Sequence, residues 1–237
     1  MPAEGAPSFL WVPDLAEDAD TVELSREESH YLRQVCRARA GDRVLATDGR
    51  GAQASLRVVS LGERVRAEVE HLEREARPRQ AWLLCGPPEG QRADWMVEKL
   101  AELGLAAWQP LECARGRWRA TPAVLARWRR LAIAALRQSR RRFLMEVREP
   151  ASLAECTSGL PQGGPRWIAD AEGRAGVESP LGSACALGAV GPSSGFDERE
   201  KALFQNLDFQ PMCLSDARLR TETAALAWAA WWARGSA

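Results

Sequence analysis

The sequence predicts an α/β protein in two parts, a small β-rich, barrel-like domain over residues 1–72 and a mostly parallel α/β domain over 73–237. Three observations carry this expectation. Up to about residue 71, short strand-like runs with glycine-bearing turns surround one helical segment. From Ala81 onward, apolar runs of strand length alternate with amphipathic helices, the pattern of a parallel sheet covered on both faces. Between them, Leu72 to Arg79 (LEREARPR) is charged and carries a proline, as a linker would.

In the first part, Ser25 with Glu28 forms an S-x-x-E capping box that opens a helix from Arg26 to Arg37, ended by Gly41-Asp42. Arg43 to Thr47 and Ala52 to Ser60 flank Asp48-Gly49, the preferred pair of a two-residue type I′ hairpin turn, and a further strand covers Arg64 to His71. In the second part, Ala81 to Cys85, the helix Asp94 to Leu103 and Ala106 to Leu111 make a βαβ unit. Thr121-Pro122 starts a helix with an inward stripe of Leu125, Trp128, Leu131/Ala132 and Ala135/Leu136. Trp167 to Ala171 and Cys185 to Val190 read as buried strands. Asp197-x-x-Glu200 caps a helix to Leu207, Met212 to Leu214 is a short strand, and Thr221 to Trp232 is the last helix.

The 237 residues carry 32 Lys+Arg and 32 Asp+Glu, a net charge of zero that by itself argues against a nucleic-acid binder. The zero hides a segregation. Only Lys99 and Lys201 are lysines, and eleven arginines fall between Arg115 and Arg148 against the single acid Glu146, a local +10. Guanidinium suits bidentate phosphate contact, so this block points to RNA docking along an arginine face of the second domain, with strong salt dependence. A solvated helix face is the plainer alternative. Residues 14–28 carry a local −6.

Composition excludes disorder and collagen-like repeats. The longest apolar run, Ala224 to Ala233, is half of the roughly 20 residues a bilayer requires. The first residues lack a basic segment followed by an apolar one, so a soluble, cytoplasmic protein without membrane partners is expected. Six cysteines without a C-x-x-C pair read as reduced core residues. With only His30 and His71, a histidine metal site or a Ser-His-Asp triad has little material. Chemistry therefore falls to a cofactor, or to arginine and carboxylates, and no metal is expected.

Two segments stand out. Gly191-Pro192-Ser193-Ser194-Gly195 joins a buried strand to a helix, a context that brings backbone N–H groups to a ligand, yet it matches neither G-x-G-x-x-G nor a P-loop. A plain turn accounts for it as well. Leu219-Arg220-Thr221-Glu222-Thr223-Ala224 places an Arg, a Glu and two hydroxyls at the start of an apolar helix; simple capping by Thr221 or Thr223, with Glu222 facing the helix dipole, is the alternative.

These segments belong to a series that resembles, in order, the ribosomal RNA uridine-N3 methyltransferases of the RsmE type, SPOUT-class enzymes. The pieces are His30-x-x-x-Val35-Cys36-Arg37 with Gly41-Asp42 and Asp48-Gly49; Gly90 through Lys99, Glu102-Leu103-Gly104 and Pro110; Trp128 through Gln138-Ser139 and Arg141; Gly191-Pro192-x-x-Gly195-Phe196 with Glu200; and Leu219 through Ala224. The resemblance implies a PUA-like RNA-binding domain, a SPOUT α/β domain with a C-terminal trefoil knot, a homodimer, and ribosomal RNA or the small ribosomal subunit as partner. It implies S-adenosyl-L-methionine as methyl donor, with its adenine held by main-chain groups and a lining of Gly191, Pro192, Gly195, Leu214, Ser215, Arg218 and Leu219. Arg220 and Glu222 lie beside the methyl group, and Arg33, Arg37, Arg115, Arg140 and Arg141 hold phosphates, the last three assigned to the second domain.

The chain departs from the family pattern at Ser193 and Ser194, where GPEGG is usual, and at Ser215, which replaces a glycine. Arg137 and Ala114 replace acids, and an arginine is missing near Ser8 and Phe9. A knotted RNA-binding protein that no longer binds the donor, or a SPOUT methyltransferase acting on another RNA, are the alternatives. In the main reading the target base is unpaired or flipped so that N3 is reachable. Arg220 stabilises charge on the uracil oxygens, and Glu222 orients Arg220 or takes the N3 proton.

Overall fold

A computed structural model describes residues 7–77, 79–116, 118, 121–178 and 183–234. The chain forms two compact units, Met1–Arg77 with Leu136–Leu144, and Pro78–Ala135 with Met145–Ala237.

The first unit contains β1 (Phe9–Trp11), β2 (Thr21–Glu23), α1 (Arg26–His30), β3 (Arg43–Thr47), β4 (Ala52–Leu61) and β5 (Val65–Arg74). Its sheet runs β1-β3-β4-β5-β2, antiparallel except for the β1–β3 pair. Alternation along β4 turns Ala52, Ala54, Leu56 and Val58 inward, where they meet Leu10, Leu24, Leu32, Val44 and Val65. Two register shifts in the β4–β5 ladder bend this ribbon around the core. Ser29 fastens α1 to the sheet by accepting the Val65 N–H at 2.9 Å.

Four local expectations are corrected here. The helix expected over Arg26 to Arg37 is α-helical only to His30 and continues as a π-helical turn, Tyr31–Val35. The capping box is half made: Ser25 accepts from Glu28 N at 3.1 Å, but the Glu28 carboxylate is buried and turns to Arg137 Nη1 at 2.6 Å and to Trp11 N at 3.4 Å. Asp48-Gly49 is not a two-residue turn. Residues 48–51 form the connection, with left-handed Gly49 (φ 76°) and Gly51 (φ 108°), because the Asp48 carboxylate folds inward to accept the N–H groups of Arg50 (2.7 Å) and Ala52 (3.1 Å). The expected linker is partly strand, since β5 runs to Arg74 opposite Ala52; Pro78 of that stretch lies outside the described residues.

The second unit contains β6 (Gln80–Cys85), α2 (Gln91–Glu102), β7 (Ala107–Pro110), α3 (Pro122–Ser139, belonging here through Ala135), β8 (Glu146–Val147), α4 (Leu153–Cys156), β9 (Arg166–Arg174), β10 (Cys185–Val190), α5 (Glu198–Asn206), β11 (Gln210–Met212) and α6 (Thr221–Arg234). The sheet is wholly parallel in the order β11-β9-β10-β6-β7-β8. Its centre, β10, is buried, and Gly188 lies so close under the Trp228 ring of α6 that a Cβ there would come within 2.4 Å of it. Trp128 of α3 packs edge-on to Trp108 of β7, ring centroids 4.8 Å apart, and donates its indole N–H to Asp94 of α2 at 3.2 Å.

β8 and α4 have no counterpart in the sequence reading, although Ser152 and Glu155 make a complete capping box for α4. β9 is half-buried to exposed rather than buried, because its neighbour β11 is only three residues long. The last strand ends at Met212 and not Leu214, since the ladder shifts register after Pro211 and Cys213 N donates to Arg174 O at 3.0 Å.

Among the described residues no helix is long and apolar enough to cross a membrane, and no cluster of three metal-ligating side chains occurs. All six cysteines are free thiols. Burial pushes the Cys113 thiol up to about 12 and the Cys156 thiol to about 11, so neither is a thiolate at neutral pH.

Candidate active site

The carboxyl ends of β9, β10 and β11 open on one cavity of about 410 Å³ in the second unit, within the range of about 300–1,000 Å³ typical of small-molecule sites. This is the side of a parallel sheet where ligands gather. One wall is the loop after β10. It turns tightly, with Gly195 N donating to Pro192 O at 2.8 Å and Gly195 left-handed (φ 73°), then enters α5 through the full capping box of Asp197 and Glu200. The opposite wall is the loop from β11 to α6. Two bonds join the walls: Thr221 Oγ1 donates to Gly191 O at 3.0 Å, and Arg218 Nη2 to Ser193 O at 3.4 Å. Two chain segments from either side of α5 and β11 thus lie against each other, the arrangement a C-terminal knot requires.

Gly191, Pro192, Gly195, Leu214, Ser215, Arg218 and Leu219, the seven residues expected to hold the donor, all line this cavity. The three serine departures leave it open. Ser194 Oγ turns back to donate to Arg115 O at 2.8 Å, Ser193 is exposed, and Ser215 Oγ accepts from Ala217 N at 3.1 Å within its own loop. Ser215 does not take a left-handed conformation, so the glycine it replaces is not needed for the backbone. Gly191 is closely packed: a Cβ there would sit 3.3 Å from Gly195 Cα and Phe196 N, so the turn would have to give by a few tenths of an ångström.

Arg220 and Glu222 sit at the start of α6 but are not brought together. Arg220 is exposed and, among the described residues, its guanidinium has no hydrogen-bond or ion-pair partner. Glu222 is 7% exposed and faces Arg92 Nε of α2 at 3.7 Å. Its charge also acts on the buried Cys85, whose thiol is pushed up by burial, then by Cys113 and by the Glu222 carboxylate.

Sequence reasoning missed part of the wall, Ile168 to Ala171 on β9, together with Thr221. Asp170 was findable, because it stands at the carboxyl end of an expected parallel strand. Thr221 was read only as a cap, since its carbonyl partner lies 30 residues away.

The expected phosphate contacts divide between the units. Arg115 belongs to the second, where it lines the cavity and donates to Phe196 O at 3.3 Å. Arg33 and Arg37 belong to the first. Arg140 and Arg141, expected in the second domain, also belong to the first unit, because residues 136–144 fold into it. The arginine block is not a single free face. Arg127 pairs with Asp94 (2.6 Å), Arg129 with Glu149 (2.8 Å), Arg137 with Glu28, Arg142 with Glu73 and Glu75, and Arg148 with Glu146 (3.5 Å). Acids outside the stretch, Asp94, Glu149, Glu28, Glu73 and Glu75, therefore offset part of the +10, in which Glu146 is already counted. Arg117 and Arg119 lie outside the described residues.

A family model described as an RNA methyltransferase domain matches residues 75–233, and one described as an RNA methyltransferase PUA domain matches residues 24–70. The chain belongs to this RNA methyltransferase family. Among proteins similar to this methyltransferase is the ribosomal RNA small subunit methyltransferase E of Synechocystis, 29% identical over 215 residues, covering 86% of this chain and 70% of the relative. Its Bacillus subtilis counterpart is 27% identical over 228 residues, covering 89% and 88%. Among solved structures, a ribosomal RNA small subunit methyltransferase E from Neisseria gonorrhoeae bound to S-adenosyl methionine superposes with a TM-score of 0.85 at 28% identity, over 95% of this chain and 96% of that one. A probable rRNA-methyltransferase from Porphyromonas gingivalis gives 0.77 at 28%, over 94% and 96%.

Proposed function

We propose that this methyltransferase uses S-adenosyl-L-methionine to methylate N3 of a uridine in the 16S RNA of the small ribosomal subunit. The observation that carries the reading is the convergence of seven residues, from two loops separated by residues 196–213, on one cavity of fitting size. The similar proteins named for small-subunit RNA, and the neighbour with bound S-adenosyl methionine, favour that substrate and donor.

Main-chain groups of Gly191, Pro192 and Gly195 and the side chains of Leu214 and Leu219 fit an adenosine, with Asp170, Arg218 and Ser215 as the polar groups at its edges. When bound, the donor supplies a methyl group on a sulfonium. The chain's residues supply the rest. Uridine N3 carries a proton, and its loss leaves negative charge on the uracil oxygens. Arg220 is exposed and, among the described residues, unpartnered, so it can meet that charge. Glu222 does not hold Arg220; buried beside Arg92 and next to the cavity-lining Thr221, it is assigned the N3 proton, while Asp170 is the carboxylate in the cavity wall itself. Arg33, Arg37, Arg140 and Arg141 of the first unit and Arg115 of the second hold phosphates. The enzyme acts in the cytoplasm as a homodimer; the exposed indole of Trp95 on α2 offers apolar surface for a second copy.

Arg220→Ala abolishes methyl transfer while calorimetric binding of S-adenosylmethionine persists. The assay is single-turnover methylation of unmodified small subunits, with tRNA as the competing substrate and nucleoside analysis of the product. Full turnover by the variant, or a product other than N3-methyluridine, sinks the assignment.

A further inference from the structure

Among the described residues, two of the three non-glycine residues with left-handed backbone are arginines expected at phosphates, Arg37 (φ 54°) and Arg140 (φ 55°). Each directly follows a helix end: Arg37 comes after the cap, Cys36, of the π-turn that extends α1, and Arg140 comes after Ser139, the last residue of α3. Glycine is the favoured residue there, and a side chain in that conformation is strained. Strain of this kind gathers at functional positions.

Between the same two helices lies a buried ion pair. Arg137 Nη1 stands 2.6 Å from Glu28 Oε1, with side-chain exposures of 13% and 3%. The Arg137 guanidinium also lies over the Tyr31 ring, 4.8 Å from its centroid. Glu28 is further held by Trp11 N on β1, and its neighbour Ser29 is fixed to β5. Arg137 precedes Arg140 by three residues, and Tyr31 precedes Arg33 and Arg37 by two and six.

We propose that Glu28 and Arg137 are positioning residues for RNA: their pair docks the end of α3 on α1 and so holds Arg33, Arg37 and Arg140 as one phosphate-binding set. A phosphodiester backbone is the ligand this arrangement fits, because the three guanidinium groups come from two chain segments, Arg33 and Arg37 on one and Arg140 on the other, which the buried pair and the Arg137–Tyr31 contact bring together. A free buried charge is far more costly than a paired one, so the pair locks the two segments in one arrangement. The proposal rests on the RNA-methylating reading, and the experiment separates the two.

The probe is in-vitro transcribed 16S RNA, titrated by filter binding against wild type, Glu28→Gln and Glu28→Gln/Arg137→Gln, each at a temperature where circular dichroism shows it folded. Glu28→Gln strands the guanidinium and weakens RNA binding about tenfold, raises KM for RNA with little change in kcat, and flattens the salt dependence by about 1 in log–log slope per lost contact. Donor affinity, read by calorimetry, does not move. The double variant leaves no stranded charge and regains stability, yet without the pair its RNA affinity stays about tenfold below wild type; recovery to within twofold overturns the clamp. Separately, Arg37→Gly raises Tm while weakening RNA binding, opposite signs that a purely structural arginine would not give. Folded Glu28→Gln that binds RNA within twofold of wild type overturns the clamp and leaves the functional reading standing. Wild-type protein with no affinity for the RNA overturns both.

Discussion

Replacing Thr221 with valine removes one hydroxyl at nearly constant shape, and that hydroxyl is the main bond between the two walls of the cavity. Thr221 Oγ1 donates to Gly191 O at 3.0 Å across 30 residues of chain, and the Thr221 side chain is buried at the head of α6. Valine packs in the same space but leaves the Gly191 carbonyl without this donor. A hydrogen bond of this type contributes about 0.5–1.5 kcal/mol net. If the closed loop is the form that takes the donor, its loss lowers the competent fraction and raises the apparent Kd by the same factor, about 2- to 13-fold. Calorimetric titration with S-adenosylmethionine reads this directly. The control is Thr157→Val, which removes an equivalent Thr-to-carbonyl bond, to Ala154 O at 2.9 Å, far along the sequence from either wall. Equal donor affinity in Thr221→Val and wild type, or an equal loss in Thr157→Val, refutes the claim that this bond holds the walls together.

Gly188→Ala tests the packing beneath the cavity. Its methyl group must displace the Trp228 ring, which a Cβ would approach to 2.4 Å, and overpacking of this kind costs about 1–3 kcal/mol. At about 2–4 °C per kcal/mol for a chain of this size, calorimetry should record Tm lower by roughly 2–12 °C, and an unchanged Tm would mean the ring moves freely. Asp48 and Glu28 should show opposite pH slopes. Burial works against the Asp48 carboxylate but is outweighed by the Arg50 and Ala52 N–H groups and by Arg74, so its pKa lies below the ordinary 3.8. Its contribution is full above that value and is lost as pH falls through the lower folded one. Burial dominates at Glu28 and raises it above the ordinary 4.5 in spite of Arg137. There the folded state binds the proton more tightly, so the contribution is greatest below 4.5 and declines as pH rises through the folded value. Urea unfolding of Asp48→Asn and Glu28→Gln against wild type over pH 3–7 distinguishes the slopes; parallel curves would refute both environments.

What was legible in the sequence is what short-range geometry decides. The capping box of Asp197 and Glu200, the apolar stripe of α3 and the strand runs of β6 and β10 each rest on partners within one or two turns or on simple periodicity. The two cavity loops were legible for another reason: glycine and proline after a parallel strand, and a polar cluster opening an apolar helix, mark backbone positions where a ligand can approach.

Where a charge finds its partner was decided by the tertiary structure. Glu28 had a local use in a capping box, yet it turned to an arginine 109 residues away, because a buried carboxylate gains more from a guanidinium than from a solvated backbone N–H. The same cause broke up the arginine face: Asp94, Glu149, Glu73 and Glu75 sit outside the block and offset part of its charge in space. Segment 136–144 joined the first unit through Leu144 N to Gly49 O and the Thr47 hydroxyl to Arg142 O, bonds that no local pattern announces. Sequence by itself determined which stretches become helix, strand and ligand loop, since those choices are made among neighbours. The fold determined which charges remain free for RNA, since electrostatic pairing depends on distance in space and on burial, neither of which is written along the chain.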